Sequence, residues 1–287
     1  MTYLRDEIAS QPSVWERALT VSTTALPASG ERVAVIGCGT SYYMAQAYAA
    51  LREAAGHGET DAFAASEFPA ARGYDRVVAL TRSGTTTEVL AALASTQAPT
   101  VAVTADPATP ISDAADEVVA LEFADEKSVV QTRFATAALV LLRTALGEQL
   151  NGLPAEATTE LATPLPQELP AATQWTFLGT GWTIGLANEA ALKLREATQS
   201  WTESYYAMEY RHGPISIAAP GRVVWVFGAP PPGLVDEVRR TGAHMELSNG
   251  DPLVSLVRAH RVAEAVAAAR GLNPDRPRNL DRSVILT

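Results

Sequence analysis

The sequence predicts an α/β protein built from two three-layer α/β/α units, each around a parallel sheet, and related by internal duplication. Three observations predict it. Apolar, β-rich runs alternate with amphipathic helical stretches, the pattern of strands covered by helices on both faces. That pattern stops at a stretch rich in Pro, Ala, Glu and Thr, then restarts. The two halves also carry matching segments. Val35-Ile36-Gly37-Cys38-Gly39-Thr40-Ser41 pairs with Phe177-Leu178-Gly179-Thr180-Gly181-Trp182-Thr183, and Val77-Val78-Ala79-Leu80-Thr81 pairs with Val223-Val224-Trp225-Val226-Phe227. The repeat is about 120 to 140 residues long, the size of one domain.

In chain order, residues 1–28 read as a helical arm with Trp15, Leu19 and Val21 as apolar points. The first unit, 29–150, opens with a strand at Arg32–Ile36 and a long helix from Tyr42 to Ala55. A strand at Arg76–Leu80 leads through the turn Thr81–Thr87 into a helix ending near Ala94. Strands at Thr100–Thr104 and Glu117–Phe123 follow, then a strongly apolar helix at Thr132–Leu146. Residues 151–172 are the linker candidate, with room for a short helix. The second unit, 173–287, begins with a strand at Trp175–Leu178 and a helix from Ile184 to Thr198. Strands at Val223–Phe227 and His244–Leu247, a helix at Ala259–Arg270 and a tail from Pro274 to Thr287 complete it.

Composition narrows the function. Of 287 residues, 47% are hydrophobic and 19% charged, enough for a sizeable core. The net charge of −10 argues against a nucleic-acid binder, which needs a basic footprint. An anion can still bind, but only at a locally built site. The single cysteine, Cys38, excludes an intrachain disulfide and fits a reducing compartment, so a cytoplasmic location is expected. The N-terminus lacks signal-peptide character, and no run of about eighteen apolar residues suggests a membrane span. Basic residues are nearly all arginine, with lysine only at Lys127 and Lys193.

Four segments carry candidate chemistry. Thr81-Arg82-Ser83-Gly84-Thr85-Thr86-Thr87-Glu88 lies between a strand and a helix, where free N–H groups and the helix dipole favour an anion. Capping needs one hydroxyl, whereas this loop holds five. The equivalent loop in the second half is Gly228-Ala229-Pro230-Pro231-Pro232-Gly233, and proline has no N–H to donate, so one phosphate site per chain is expected. Gly37-Cys38-Gly39-Thr40-Ser41-Tyr42 is not a dinucleotide fingerprint, since Tyr42 stands where close packing wants a small residue. No cofactor is expected. Glu189, Lys193 and Glu196 fall on one helix face, a spacing that also suits an ordinary exposed Glu–Lys face. His212 precedes Gly213-Pro214 at a turn, and His57, His244 and His260 are scattered without metal-ligand spacing, so no metal is expected.

Together these segments resemble the tandem SIS (sugar isomerase) domain family. The resemblance is carried by Cys38-Gly39-Thr40-Ser41, Ser66-Glu67-Phe68, Ser83-Gly84-Thr85-Thr86, Glu189-x-x-Leu192-Lys193-Leu194-x-Glu196, Glu209-x-x-His212-Gly213-Pro214 and the tail Pro277-Arg278-Asn279-Leu280-Asp281-Arg282-Ser283-Val284. It covers about residues 30 to 287 and is nearest to the isomerase half of glucosamine-6-phosphate synthase. The resemblance implies a homodimer with shared active sites acting on a phosphorylated amino sugar. Ser41, Thr81, Arg82, Ser83 and Thr86 would hold the phosphate, Val129 would line the sugar, and Arg282 is expected to contact the substrate as well. Glu196 would move a proton between C1 and C2, Lys193 would stabilise charge on the sugar oxygens, and His212 of a second copy would assist ring opening.

Two departures shape the expectation. No glutaminase half or cysteine nucleophile is present in this sequence, and Arg282 stands where the synthase forms a Schiff base with lysine. A guanidinium stays protonated and forms no such imine. The expected enzyme is therefore not a glutamine-dependent synthase. It acts on glucosamine 6-phosphate or N-acetylglucosamine 6-phosphate by ring opening and C2-proton abstraction, giving isomerisation or deamination. Two alternatives stay open: a dehydratase (lyase) that expels the C3 hydroxyl of the acetylated sugar, and a non-catalytic phosphosugar sensor.

Overall fold

The computed structural model describes residues 2–286; Met1 and Thr287, the outer ends of the expected arm and tail, lie outside the described residues. The elements run α1 Tyr3–Ala9, α2 Gln11–Ala18, β1 Val33–Gly37, α3 Thr40–Ala54, β2 Thr60–Ala64, β3 Arg76–Thr81, α4 Thr87–Ser95, β4 Thr100–Thr104, α5 Ile111–Ala114, β5 Glu117–Ala120 and α6 Arg133–Ala145. They continue with α7 Leu153–Ala162, α8 Glu168–Ala171, β6 Gln174–Gly179, α9 Thr183–Thr198, β7 Thr202–Tyr206, β8 Arg222–Phe227, α10 Leu234–Arg240, β9 His244–Leu247 and α11 Pro252–Ala269. No helix among the described residues is long and apolar enough to cross a membrane.

Both sheets are parallel. The first has the order β2-β1-β3-β4-β5 and the second β7-β6-β8-β9. The second order repeats the first without a counterpart of β5, as the duplication predicts. In register, Val33 of β1 faces Thr60 of β2 and Arg76 of β3, while Trp175 of β6 faces Thr202 of β7 and Val223 of β8. Strand order reverses at β1/β3 and at β6/β8. In open parallel sheets the crevice at such a switch point, outside the carboxyl ends of the strands, is where ligands bind.

The period-2 pattern of the strands sends alternate residues to two different cores. Ala34 and Ile36 of β1 and Val77 and Ala79 of β3 pack outward against Val89, Ala92 and Leu93 of α4. Val33, Val35, Val78 and Leu80 pack inward, into the same core as Trp175 and Phe177 of β6 and Trp225 and Phe227 of β8. The two units are therefore joined through one common core rather than strung on a flexible connection. The stretch expected as a linker is folded into it: α7 and α8 bury Leu153, Ala157 and Leu169 there. The arm does likewise with Leu4, Ile8, Val14, Trp15 and Ala18. Each of the three buried indoles has a partner for its N–H, at Thr136, the Leu169 carbonyl and Ser255, which removes the cost of burying it.

One contact between the halves bears on function. Gly185 of α9 lies against α3, where a Cβ would sit 2.4 Å from the Tyr43 carbonyl oxygen. Only glycine permits that approach. Three residues on, Asn188 donates to Gln46 of α3 at 2.8 Å. This sets the face of α9 that carries Lys193 and Glu196 beside the N-terminus of α3.

Candidate active site

At the switch point of the first sheet, a cavity of about 260 Å³ opens between the loop after β1, the loop after β3, the segment 129–131, α9 and the tail. Its lining includes Ser41, Thr81, Arg82, Ser83, Thr86, Val129, Lys193, Glu196 and Arg282. The fold thus brings together nine of the ten residues expected to form the site. His212 is the exception. It is exposed, in the short 3-10 turn Glu209–His212 after β7, and is not part of this cavity's wall.

The loop after β3 is shaped by Gly84, whose φ of +65° suits glycine, and where a Cβ would fall 2.0 Å from the Thr109 hydroxyl. The Gly84 N–H donates to the Thr81 hydroxyl at 3.3 Å, tightening the turn. Thr86 occupies the N-cap of α4, but its side chain makes no capping hydrogen bond. The residue lines the cavity. A donor-rich helix start with an uncommitted hydroxyl is the arrangement that receives an anion.

Arg82, which lines the cavity, also braces its wall. Its side chain is 3% exposed, and its guanidinium donates to the carbonyls of Ser128 (3.0 Å), Val129 (3.5 Å) and Arg282 (3.1 Å). Burial pulls its pKa down, against the opposing influence of Glu126 at 3.9 Å. Three of its N–H bonds hold the cavity wall together.

The segment 126–131 is fastened from several sides. The buried Glu126 carboxylate accepts from Thr132 N (2.6 Å), Arg133 N (2.8 Å) and the Thr132 hydroxyl (2.9 Å), so a side chain six residues upstream caps α6. Glu7 of α1 accepts from the Lys127 and Ser128 amides at 2.6 and 3.3 Å. Burial raises its pKa, with Glu126 adding to the rise. The tail closes the remaining side. The Val284 carbonyl accepts from Thr87 N at 3.1 Å, Thr85 donates to Ser283 at 2.9 Å, and Arg282 pairs with the Asp125 carboxylate and the Glu126 carbonyl. The Arg282 guanidinium is thereby tied to the wall.

On α9 the residues at i, i+4 and i+7 form a buried charge cluster, not an exposed face. Glu189 is 0% and Lys193 1% exposed. The Lys193 ammonium is in direct contact with Glu196 and lies 3.8 Å from Glu189. Burial alone would lower its pKa, but the two carboxylates outweigh it and the net shift is upward. Burial pushes the Glu189 carboxyl up to about 8, with Lys193 pulling the other way. Glu196, partly accessible at 19%, is the carboxylate that reaches the cavity.

The second switch point is built differently. Thr183 accepts from Thr180 N at 2.8 Å and lies 2.9 Å from the Phe227 carbonyl oxygen, so its hydroxyl bridges the two loops there. The cavity also recruits Cys38, Gln131, Asp281 and Ser283, which had not been singled out for roles. Gln131 sits two residues after Val129 and its side-chain oxygen is buried without a partner; nothing in its local sequence marks it.

The SIS domain family model matches residues 28–146. The chain is 29% identical, over 316 aligned positions, to the glutamine–fructose-6-phosphate aminotransferase [isomerizing] of Gloeobacter violaceus, covering 88% of this chain and 52% of that protein. It spans about half the length of the curated relatives it matches. Its fold is shared with the glucosamine-6-phosphate deaminase of Thermotoga maritima, at a TM-score of 0.83 and 23% identity over 99% of this chain and 100% of the other. It is also shared with the C-terminal domain of glucosamine-fructose-6-phosphate aminotransferase from Francisella tularensis, at 0.82 and 18% identity over 96% and 98%.

Proposed function

We propose that this SIS domain protein is an enzyme that takes a phosphorylated amino sugar, of the glucosamine 6-phosphate or N-acetylglucosamine 6-phosphate class, and removes its C2 proton. The observation that carries this reading is a carboxylate, Glu196, in contact with a buried ammonium, Lys193, at the wall of a hydroxyl-lined cavity at a switch point. Proton removal beside a carbonyl needs a fixed base and a cation for the developing enediolate charge. The cavity volume, about 260 Å³, lies at the small end of ligand pockets, which suits a single hexose. Ser41, Thr81, Ser83 and Thr86 hold the phosphate, Val129 lines the sugar, and Arg82 and Arg282 keep the wall closed around it.

The ring is opened, Glu196 takes the C2 proton, and its return at C1 leaves an imine at C2, which, where the amine is free, water hydrolyses to the ketose with loss of ammonia. The relatives named above support amino-sugar phosphates as the substrate class. The dehydratase alternative is favoured by one feature: among the described residues lining the cavity the one amine, Lys193, is engaged by Glu196, and Arg282 is a guanidinium tied to Asp125. His212, exposed on the second unit, is supplied to the cavity of a second copy. Exposed Trp201, Tyr206 and Met208 nearby in sequence suit burial in such a homodimer.

The test is incubation with glucosamine 6-phosphate and its N-acetyl form in D2O, followed by NMR. Deuterium entering at C1 or C2, or product formation, supports the enzyme; binding without exchange leaves the sensor. Glu196→Gln is expected to abolish exchange and retain binding, and full activity in that variant would remove Glu196 as the base. Mixing Glu196→Gln with His212→Asn chains is expected to restore activity. If His212 acted within its own chain, the mixture would stay inactive.

A further inference from the structure

A line of buried polar groups runs from the N-terminal arm to the cavity, and the mechanism above uses only its last two members. The Trp15 indole N–H donates to the Thr136 hydroxyl at 2.9 Å, and that hydroxyl donates to the Gln11 side-chain oxygen at 2.8 Å. The Gln11 amide nitrogen then lies 3.3 Å from His260 Nδ1. His260 Nε2 is 4.0 Å from Glu189 Oε1, which is 3.8 Å from the Lys193 ammonium, which contacts Glu196. Gln11, His260, Glu189 and Lys193 are each no more than 1% exposed.

The donors in this line point one way. Trp15 can only donate, so the Thr136 proton is free to go to the Gln11 oxygen, and the Gln11 amide nitrogen faces the imidazole. His260 Nδ1 is then an acceptor, and the ring proton sits on Nε2, toward Glu189. His260 Nε2 has no hydrogen-bond partner, and the Glu189 oxygens have none of good geometry, the Thr40 hydroxyl only approaching the carboxyl. Buried polar atoms without partners are costly, so each side of that 4.0 Å gap has reason to close it. Burial, with Lys193 adding to it, lowers the His260 pKa to about 3, so the imidazole stays neutral and the order of donors is kept.

We propose that His260 is a positioning residue for the catalytic pair: its Nε2–H, aimed by Gln11, holds Glu189 behind Lys193 so that the ammonium is presented to Glu196 and the substrate. This rests on the reading of Glu196 as the base. With a carboxyl pushed up to about 8, Glu189 is ionised less readily than an ordinary carboxylate and competes less for the Lys193 charge, which stays with the contacting Glu196. Once ionised it competes for that ammonium, so turnover falls on the alkaline side. The groups facing Glu189 are Lys193 and Glu196 on α9, Thr40 and Tyr43 on α3, Glu126, and His260 on α11. Those facing His260 are Gln11 on α2, and Glu189 and Lys193 on α9.

Nitrogen NMR of 15N-histidine-labelled protein, without substrate, reads the tautomer directly. The expected result is one neutral imidazole with its proton on Nε2 throughout pH 5 to 8, the range in which an unperturbed histidine titrates. A proton on Nδ1, or a ring that titrates near its ordinary value, would overturn the proposal. In the exchange assay, His260→Leu is expected to lower kcat about tenfold or more with KM changed less than about twofold, the signature of a lost transition-state effect. Removing the N–H donor also moves the alkaline limb upward, because it takes away a group that favours ionised Glu189. His260→Gln, which keeps an N–H, is expected to restore most of the rate. Unchanged kcat and unchanged pH profile in His260→Leu would also sink the proposal. Should that variant not fold, Gln11→Leu gives the same reading, through a mixed tautomer and the same kcat loss. If instead Glu196→Gln keeps full exchange while the tautomer is as described, the base assignment is what has failed.

Discussion

Thr86 stands where a helix cap belongs and does not cap, and that one hydroxyl separates an anion site from a solvated turn. The Ser83 side chain, by contrast, already accepts from Thr85 at 3.1 Å. Replacing both hydroxyls, as Ser83→Ala with Thr86→Ala, removes hydrogen bonds to a charged ligand, each worth about 1.5–3 kcal/mol. KM for the phosphorylated sugar is expected to rise about tenfold or more, with the thermal midpoint nearly unchanged; a steady-state titration checks it, and an unchanged KM removes the loop from the site. Glu189 offers a stability test. Its folded-state pKa is raised, so native protein binds more protons than unfolded chain between the ordinary carboxylate value of 4.5 and about 8. Its contribution is fully present below that window and is lost as pH rises through it. Glu189→Gln does not titrate, so the variant's melting temperature relative to the parent is expected to climb from pH 5 to pH 9. A difference that stays flat would mean Glu189 is not held protonated. At this scale the sequence was only partly readable. The i, i+4, i+7 spacing marked Glu189, Lys193 and Glu196 but could not distinguish a buried cluster from a solvated face. Arg82 was legible as a cation beside the loop, but its carbonyl partners arrive from residues 46 and 200 positions away.

Among the elements, the central strands and the long helices were legible because burial on both faces leaves unbroken apolar runs, as in Val33–Gly37 and Gln174–Gly179. The edge strands β2 and β7 were not. Thr60–Ala64 and Thr202–Tyr206 are short, partly exposed and polar enough to pass for loops, yet they complete both sheets beside the switch points. β5 ends at Ala120 rather than Phe123, since Glu122–Ala124 turns as a 3-10 helix toward the Glu126 segment. Helix α11 begins at Pro252, seven residues before the expected Ala259. Its signal was present: Asp251 caps Leu253 N at 2.8 Å, and Pro252 takes the first helical position, where its missing N–H costs nothing. The crossing of α3 and α9 carries a prediction of its own. Gly185→Ala adds a methyl 2.4 Å from the Tyr43 carbonyl, so the helices must separate. Overpacking of this kind costs about 1–3 kcal/mol. Because α9 carries Lys193 and Glu196 while α3 carries Ser41, the expected outcome is a loss of both stability, by urea unfolding, and kcat. Loss of stability with full kcat would show that the cavity does not depend on this crossing.

At the scale of the whole molecule, the duplication and the cavity pull in different directions. Repetition in sequence suggests two units able to fold alone, and the alternating strands and the matched glycine turns make that division plain to read. The physical boundary is elsewhere, because inward side chains of both sheets share one core with the arm and with α7 and α8. The cavity follows the same logic: its anion loop comes from the first unit, its base and ammonium from α9 of the second, and its closing strap from the tail. None of that assembly is encoded locally, so no periodicity could reveal it. A chain so joined should unfold as one cooperative unit, although chains of this length often show intermediates. Calorimetry is expected to give a single transition with calorimetric and van't Hoff enthalpies in agreement. Residues 173–286 expressed alone would lose α3 from the face of α9 and α7 and α8 from α11, and are expected to lack a cooperative melt or to aggregate. Two resolved transitions, or a well-folded monomer from that fragment, would show that the second unit holds its own core and that the cavity is made by docking two finished domains.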